Sequence, residues 1–130
     1  MTKVLVVDDD NDTVDVLCEY LRLKGMNVVG SAYNGQEAHE LYKKLKPDVV
    51  LLDVWMPDFD GYFGLQKIRE FDPNAKIVMV TASAFSNNKK DKLKSMGASA
   101  VICKPYETSD VIKTIEELTT DVISKPASKS

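Results

Sequence analysis

The sequence predicts an α/β fold in which an open parallel sheet of five strands carries helices on both faces. Five short runs, Lys3 to Val7, Asn27 to Ser31, Asp48 to Leu52, Lys76 to Val80 and Ala100 to Cys103, are rich in Val, Ile and Leu and do not alternate with polar residues. Continuous apolarity over so few residues suits strands covered on both sides. Helically spaced stretches separate the runs, and strands alternating with helices of this length imply right-handed βαβ crossovers. At 130 residues and 44% hydrophobic content, the chain supplies one core rather than two.

After the first run, Val14, Leu17, Cys18 and Leu21 fall on one face of a helix that starts near Asn11 or Asp12 and stops at Gly25. The second helix takes Asn34 as N-cap with Glu37 three residues on, buries Ala38, Leu41 and Leu45, and ends before Pro47. A third begins at Asp60 and ends before Pro73, with Leu65 and Ile68 inward. Its Gly64 costs about 1 kcal/mol of helix propensity, and Phe63 is expected to lean inward in compensation. The fourth, about Asn87 to Met96, holds Lys89, Lys90, Asp91, Lys92 and Lys94, leaving Leu93 and Met96 to anchor it. It is the helix expected to be least stable, and Gly97 ends it. The last starts at a Thr108 cap and runs through Val111, Ile112, Ile115 and Leu118. Residues 1–120 therefore read as one domain and 121–130 as a polar C-terminal tail or linker.

Composition narrows the function. A net charge of −3 and a pI near 5.2 attract neither nucleic acid nor an anionic membrane. No apolar stretch is long enough to span a bilayer, and the N-terminus turns acidic too early for a signal peptide, so a cytoplasmic location is expected. Cys18 and Cys103 are too few for a structural zinc site and read as small buried apolar residues. His39, among Glu37, Glu40 and Lys43, reads as solvated. The glycine-rich signatures of dinucleotide and P-loop nucleotide sites are missing.

The chemistry lies at the strand ends, where open parallel sheets bind ligands. The first strand ends in Asp8, Asp9 and Asp10, the third in Asp53, the fourth in Thr81 and Ala82, and the fifth in Lys104 and Pro105. Asp10 with Asp12 suits a helix N-cap, which needs only one oxygen and leaves Asp8 and Asp9 without that explanation. Carboxylates brought within about 4–6 Å repel one another unless a cation sits among them. Mg²⁺ suits such a site, since it takes a few carboxylates and keeps waters that a phosphoryl oxygen can replace. Asp53, emerging from an apolar strand, is then a candidate nucleophile forming an acyl phosphate, with Lys104 and the Thr81 hydroxyl as stabilising groups.

From Lys3 to about Leu118 the chain resembles the CheY-like receiver domains of two-component response regulators. The matching pieces are Val6-Val7-Asp8-Asp9, the stretch from Leu51 through Asp53, Met56-Pro57 and Asp60-Gly61, then Val80-Thr81-Ala82, Gly97-Ala98 and Lys104-Pro105-Tyr106. The resemblance implies a flavodoxin-like doubly wound sheet in the order 2-1-3-4-5. It also implies that Asp53 accepts a phosphoryl group from a histidine kinase or a histidine phosphotransfer protein. Asp9, Asp53 and the Trp55 backbone carbonyl would bind Mg²⁺ (or Mn²⁺) directly and Asp8 largely through water, while Thr81 and Lys104 would contact the phosphoryl oxygens. Phosphorylation would switch a docking face on the fourth helix, fifth strand and fifth helix toward a downstream protein, in a monomer for which dimerisation on phosphorylation stays open. Such a domain catalyses only its own phosphorylation and dephosphorylation.

Three positions depart from the family pattern, the first being Gly64, where the family usually has a large apolar residue. Val101 stands where an aromatic switch residue is common, which shifts the expected response toward Thr81, the backbone and the Lys-rich fourth helix. Trp55, two residues past Asp53, is placed to screen an acyl phosphate from water and predicts slow autodephosphorylation. Two other readings stay open: a receiver-like interaction module that is never phosphorylated, and a phosphatase of the aspartyl-phosphate type. The latter would need a second Asp as general acid where Trp55 stands. No effector domain follows residue 120, as in a stand-alone regulator or a domain cut from a longer protein.

Overall fold

The computed structural model describes residues 2–81, 87–104 and 106–128, with the side chains of 87–89 and 120–128 left aside. Ala82 and Pro105, both in the matching pieces, and residues 83–86 lie outside the described residues. Among those described, five strands alternate with five helices: β1 (Lys3–Val7), α1 (Asn11–Leu23), β2 (Asn27–Ala32), α2 (Gly35–Leu45), β3 (Val49–Asp53), α3 (Gly61–Phe71), β4 (Ile77–Thr81), α4 (Asn87–Ser95), β5 (Ala100–Cys103) and α5 (Thr108–Ser128). All strand pairs are parallel and the order is β2-β1-β3-β4-β5, the doubly wound arrangement. The α5 backbone stays helical to Ser128, past the point where apolar spacing fades.

The sheet separates two cores. On one face β-strand residues meet Ala38 and Tyr42 of α2, Leu65 and Ile68 of α3 and Leu93 of α4; on the other they meet Val14, Leu17, Cys18 and Leu21 of α1 and Val111, Ile112 and Ile115 of α5. Strands β3 and β4 are buried at every position, which accounts for their unbroken apolar runs.

Side-chain caps start α2 and α3 where the polar residues predict, whereas Thr108, expected as the cap of α5, is its first helical residue. Asn34 Oδ1 accepts the Glu37 amide at 2.8 Å, with the Glu37 carboxylate accepting the Tyr33 amide at 2.7 Å, and Asp60 Oδ1 accepts the Phe63 amide at 3.0 Å. Three packing expectations change. In α2 it is Tyr42 that is fully packed, while Leu41 and Leu45 are half-buried. The Tyr42 hydroxyl donates to Asp72 Oδ2 at 2.7 Å, so the phenol enters the core without an unpaired polar atom. Phe63 does not lean inward but packs on Phe59 at the surface, ring centroids 4.8 Å apart. Cys103 is half-buried because β5 is an edge strand, whereas Cys18 is buried as expected.

The glycine in α3 has a packing cause. Gly35 at the start of α2 faces Gly64, and a Cβ on Gly35 would lie 2.8 Å from the Gly64 amide nitrogen. A Cβ on Gly64 would meet the Gly35 Cα at 3.2 Å and Leu52 Cδ2 at 3.3 Å. The first is a backbone collision and the second a tight contact. Gly35→Ala should therefore destabilise by about 1–3 kcal/mol in urea denaturation. Gly64→Ala, which regains about 1 kcal/mol of helix propensity, should be close to neutral. Equal effects of the two would contradict this view of the α2–α3 crossing.

Candidate phosphoryl-transfer site

Four strands deliver the reactive groups to one edge of the sheet. Asp53 is the last residue of β3, Thr81 the last of β4, and Asp8 and Lys104 each follow their strands directly. Pairing continues past the strand ends and fixes these positions: the Asp8 amide donates to Ala32 O (3.1 Å), the Val54 amide to Val80 O (2.9 Å) and the Lys104 amide to Thr81 O (2.7 Å). The loop after β3 folds back on itself, with the Gly61 amide donating to Val54 O at 2.9 Å and Asp58 held at φ 68°. A Cβ at Gly61 would come within 2.7 Å of the Val54 Cα, so that return requires glycine.

The structure divides the first acidic cluster by task. Asp10 caps α1, accepting the Asp12 amide at 3.3 Å and the Thr13 hydroxyl at 2.6 Å. Asp8 and Asp9 are left for the pocket. One carboxylate oxygen from each of Asp8, Asp9 and Asp53 lies within 4.8 Å of the others. Asp8 and Asp53 are buried, at 7% and 5% exposure, while Asp9 is open to solvent. Lys104 Nζ sits 3.5 Å from both Asp8 Oδ2 and Asp53 Oδ1, bridging them. Asp8 Oδ1 is also aimed, since it accepts the Asp10 amide at 3.0 Å.

The electrostatics are unfavourable as they stand. Burial, then the Asp8 charge, push the Asp53 carboxyl up to about 6 against the pull of Lys104. Burial works against the Lys104 ammonium, but Asp53 and Asp8 outweigh it and hold its pKa above the ordinary lysine value. Three carboxylates against one ammonium leave a formal charge of −3 + 1 = −2, which one divalent cation balances. An all-oxygen donor set that is partly open to water is what Mg²⁺ accepts.

The remaining predicted residues differ in burial. Thr81 is completely buried, Val101 is half-buried against the core face shared with α4, and Tyr106 is half-buried against the opposite core. Trp55 is 57% exposed. His39 is half-exposed and not among the carboxylates that cluster. One feature escapes the sequence reading, a groove of about 300 Å³ lined by Asp12, Thr13, Val16, Leu17, Tyr106 and Thr108. Its one sequence signal is Val16, an apolar residue off the buried stripe of α1 and 63% exposed. No helix among the described residues is long and apolar enough to cross a membrane.

Known proteins resemble this chain along most of its length. The family model of the response regulator receiver domain matches residues 4–116. The chemotaxis protein CheY of Thermotoga maritima is 36% identical over 116 residues, covering 89% of this chain and 96% of that protein. Protein CcdB of Bacillus subtilis is 36% identical over 118 residues, covering 91% and 98%. Among solved structures, a chain of the CheX-CheY-BeF3-Mg²⁺ complex from Borrelia burgdorferi superposes with a TM-score of 0.86 at 32% identity, covering 91% of this chain and 89% of that one.

Proposed function

The chain belongs to the response regulator receiver domain family of two-component signalling, and on that premise we propose that Asp53 is its phosphoacceptor. The observation that carries the assignment is the Lys104 bridge between Asp53 and Asp8, at 3.5 Å to each, inside a cluster of three carboxylates. The donor is a histidine kinase or a histidine phosphotransfer protein. An Asp53 carboxylate oxygen attacks phosphorus, the O–P bond forms, and the N–P bond to the donor imidazole breaks, with the electron pair leaving on nitrogen.

Asp9, Asp53 and the Trp55 backbone carbonyl would hold Mg²⁺ directly, and Asp8 would do so through water. Bound there, the ion would neutralise charge on the transferring phosphoryl oxygens. Lys104 places its ammonium beside the same oxygens, and the Thr81 hydroxyl donates to one of them once it is reached. Trp55 stands where an aspartyl-phosphate hydrolase would need its proton donor, which favours a signalling domain that turns over only its own phosphoryl group. The phosphorylated domain then acts on a downstream protein through α4, β5 and α5.

Phosphorus NMR of the chain with phosphoramidate, a small N–P donor, tests this reading. An acyl phosphate resonance should grow in with Mg²⁺ and be lost when EDTA is present from the start. A resonance of equal size in EDTA, or none under either condition, would overturn it.

A further inference from the structure

The loop from Val54 to Asp60 joins the Asp53 strand to α3, and the first residue of a helix holds it at each end. Gly61 opens α3 and its amide donates to Val54 O at 2.9 Å, while Gly35 opens α2 and its amide donates to Phe59 O at 2.5 Å. The first amides of a helix have no partner inside it, so an acceptor from another segment ties the two together. Here both acceptors belong to one loop. Gly35 reaches it only because it lacks a side chain, since a Cβ there would collide with the Asp60 carbonyl oxygen and lie 3.1 Å from that of Phe59. The start of α2 is itself fixed, by Asn34 accepting the Glu37 amide and Glu37 accepting the Tyr33 amide. Within the loop Asp58 stands at φ 68°, in the left-handed region, so the path of the chain is set by its tethers rather than by an ordinary backbone preference.

We infer that Gly35, which is not one of the clustered acidic residues, is a positioning residue for the phosphoryl-transfer site and acts through the Phe59 and Asp60 carbonyls on the carbonyl of Trp55. The inference rests on the reading of that Trp55 carbonyl as a Mg²⁺ ligand. Asp53 does not depend on the clamp, because it closes a strand buried at every position and the Val54 amide continues the sheet pairing to Val80 O. The Trp55 carbonyl lies between the two tethered carbonyls, Val54 and Phe59, and shifts if the second tether is lost. Loss of the clamp therefore weakens the metal site while sparing the nucleophile. By linkage, Mg²⁺ must tighten the clamp by the factor by which the clamp tightens Mg²⁺.

Amide hydrogen exchange by NMR and Mg²⁺ calorimetry on the full chain test this. In the metal-free wild type the Gly35 amide should exchange at least about tenfold more slowly than that of the exposed Asn11, the first residue of α1. Saturating Mg²⁺ should slow Gly35 exchange at least about fivefold further, and Gly35→Ala should weaken Mg²⁺ binding by at least about fivefold. Acetyl phosphate labelling of Gly35→Ala at saturating Mg²⁺ should stay within about threefold of wild type, so that the loss appears in metal affinity and not in the maximal rate. Tyr42→Phe, which removes the hydrogen bond to Asp72 farther along α2, should lower stability and leave Mg²⁺ affinity unchanged. A Gly35 amide that exchanges as fast as Asn11 or does not respond to bound Mg²⁺, wild-type affinity in Gly35→Ala, or an equal loss of affinity in Tyr42→Phe would overturn the inference. Should Gly35→Ala not fold, the two exchange measurements on the wild type decide alone. A wild type that binds no Mg²⁺ overturns the metal-site reading, whereas one that binds it with an unresponsive Gly35 amide overturns the positioning role only.

Discussion

Asp53→Asn should stabilise the Mg²⁺-free protein at pH 7.5 by on the order of 2 kcal/mol, a rise of roughly 6–10 °C in Tm. The cause is the cost of holding Asp53 ionised at 5% exposure beside Asp8, which raises its pKa to about 6 from an ordinary 3.8. The sign follows from linkage. Between pH 4 and 6 the folded state binds more protons at Asp53 than the unfolded state, so the stability contribution of this group is full below about 4 and lost as pH rises through about 6. The gain from Asn should accordingly shrink on acidification and vanish near pH 4. Saturating Mg²⁺ should narrow the difference at pH 7.5 by stabilising the wild type alone. Thermal denaturation of both proteins across pH 4–8 checks this, and a gain that grows toward low pH would contradict the electrostatic account.

The second large effect falls on Lys104. Lys104→Met removes the cation that bridges Asp8 and Asp53. Losing one preorganised positive group at a site of developing phosphoryl charge should slow acetyl phosphate labelling by on the order of 10²-fold. The same change frees both carboxylates from a competing cation, so Mg²⁺ should bind at least as tightly as in the wild type. Without Mg²⁺ the variant should lose about 1–3 kcal/mol at neutral pH, since two buried carboxylates are left facing each other. Slow labelling with intact Mg²⁺ binding separates loss of transition-state stabilisation from loss of the fold. A labelling rate within about threefold of wild type would remove Lys104 from the chemistry.

Most of the fold could be read because the sheet is buried on both faces. Strands β1 and β5 fall on the predicted residues, and β3 and β4 each slide one residue toward the C-terminus. That slide carries meaning, since it makes Asp53 and Thr81 the last residues of their strands, and the sheet itself aims them. Periodicity could not foresee Tyr42. Its burial depends on Asp72, thirty residues away, accepting the phenolic hydrogen bond. Gly64 looked like a lost propensity because its reason, the close approach of Gly35, exists only once α2 and α3 pack.

At the site, residue types at the strand ends point to Asp8, Asp9, Asp53, Thr81 and Lys104, and the geometry brings Asp8, Asp9, Asp53 and Lys104 together. Spacing did not divide their labour. The sequence offers Asp10 as the α1 cap, which the structure bears out, but only the geometry shows Asp8 oriented by the Asp10 amide and one ammonium shared between two buried carboxylates. The groove beside Val16 stayed invisible for the same reason, because α1 and the segment before α5 meet there through tertiary packing.

Peptide mapping by mass spectrometry after brief exposure to acetyl phosphate is the most direct measurement of the central claim. A single phosphoryl adduct on the peptide containing Asp53, formed with Mg²⁺, absent in EDTA and absent from Asp53→Asn, is the predicted result. An adduct that persists in Asp53→Asn, or that forms equally well without the metal, would contradict it.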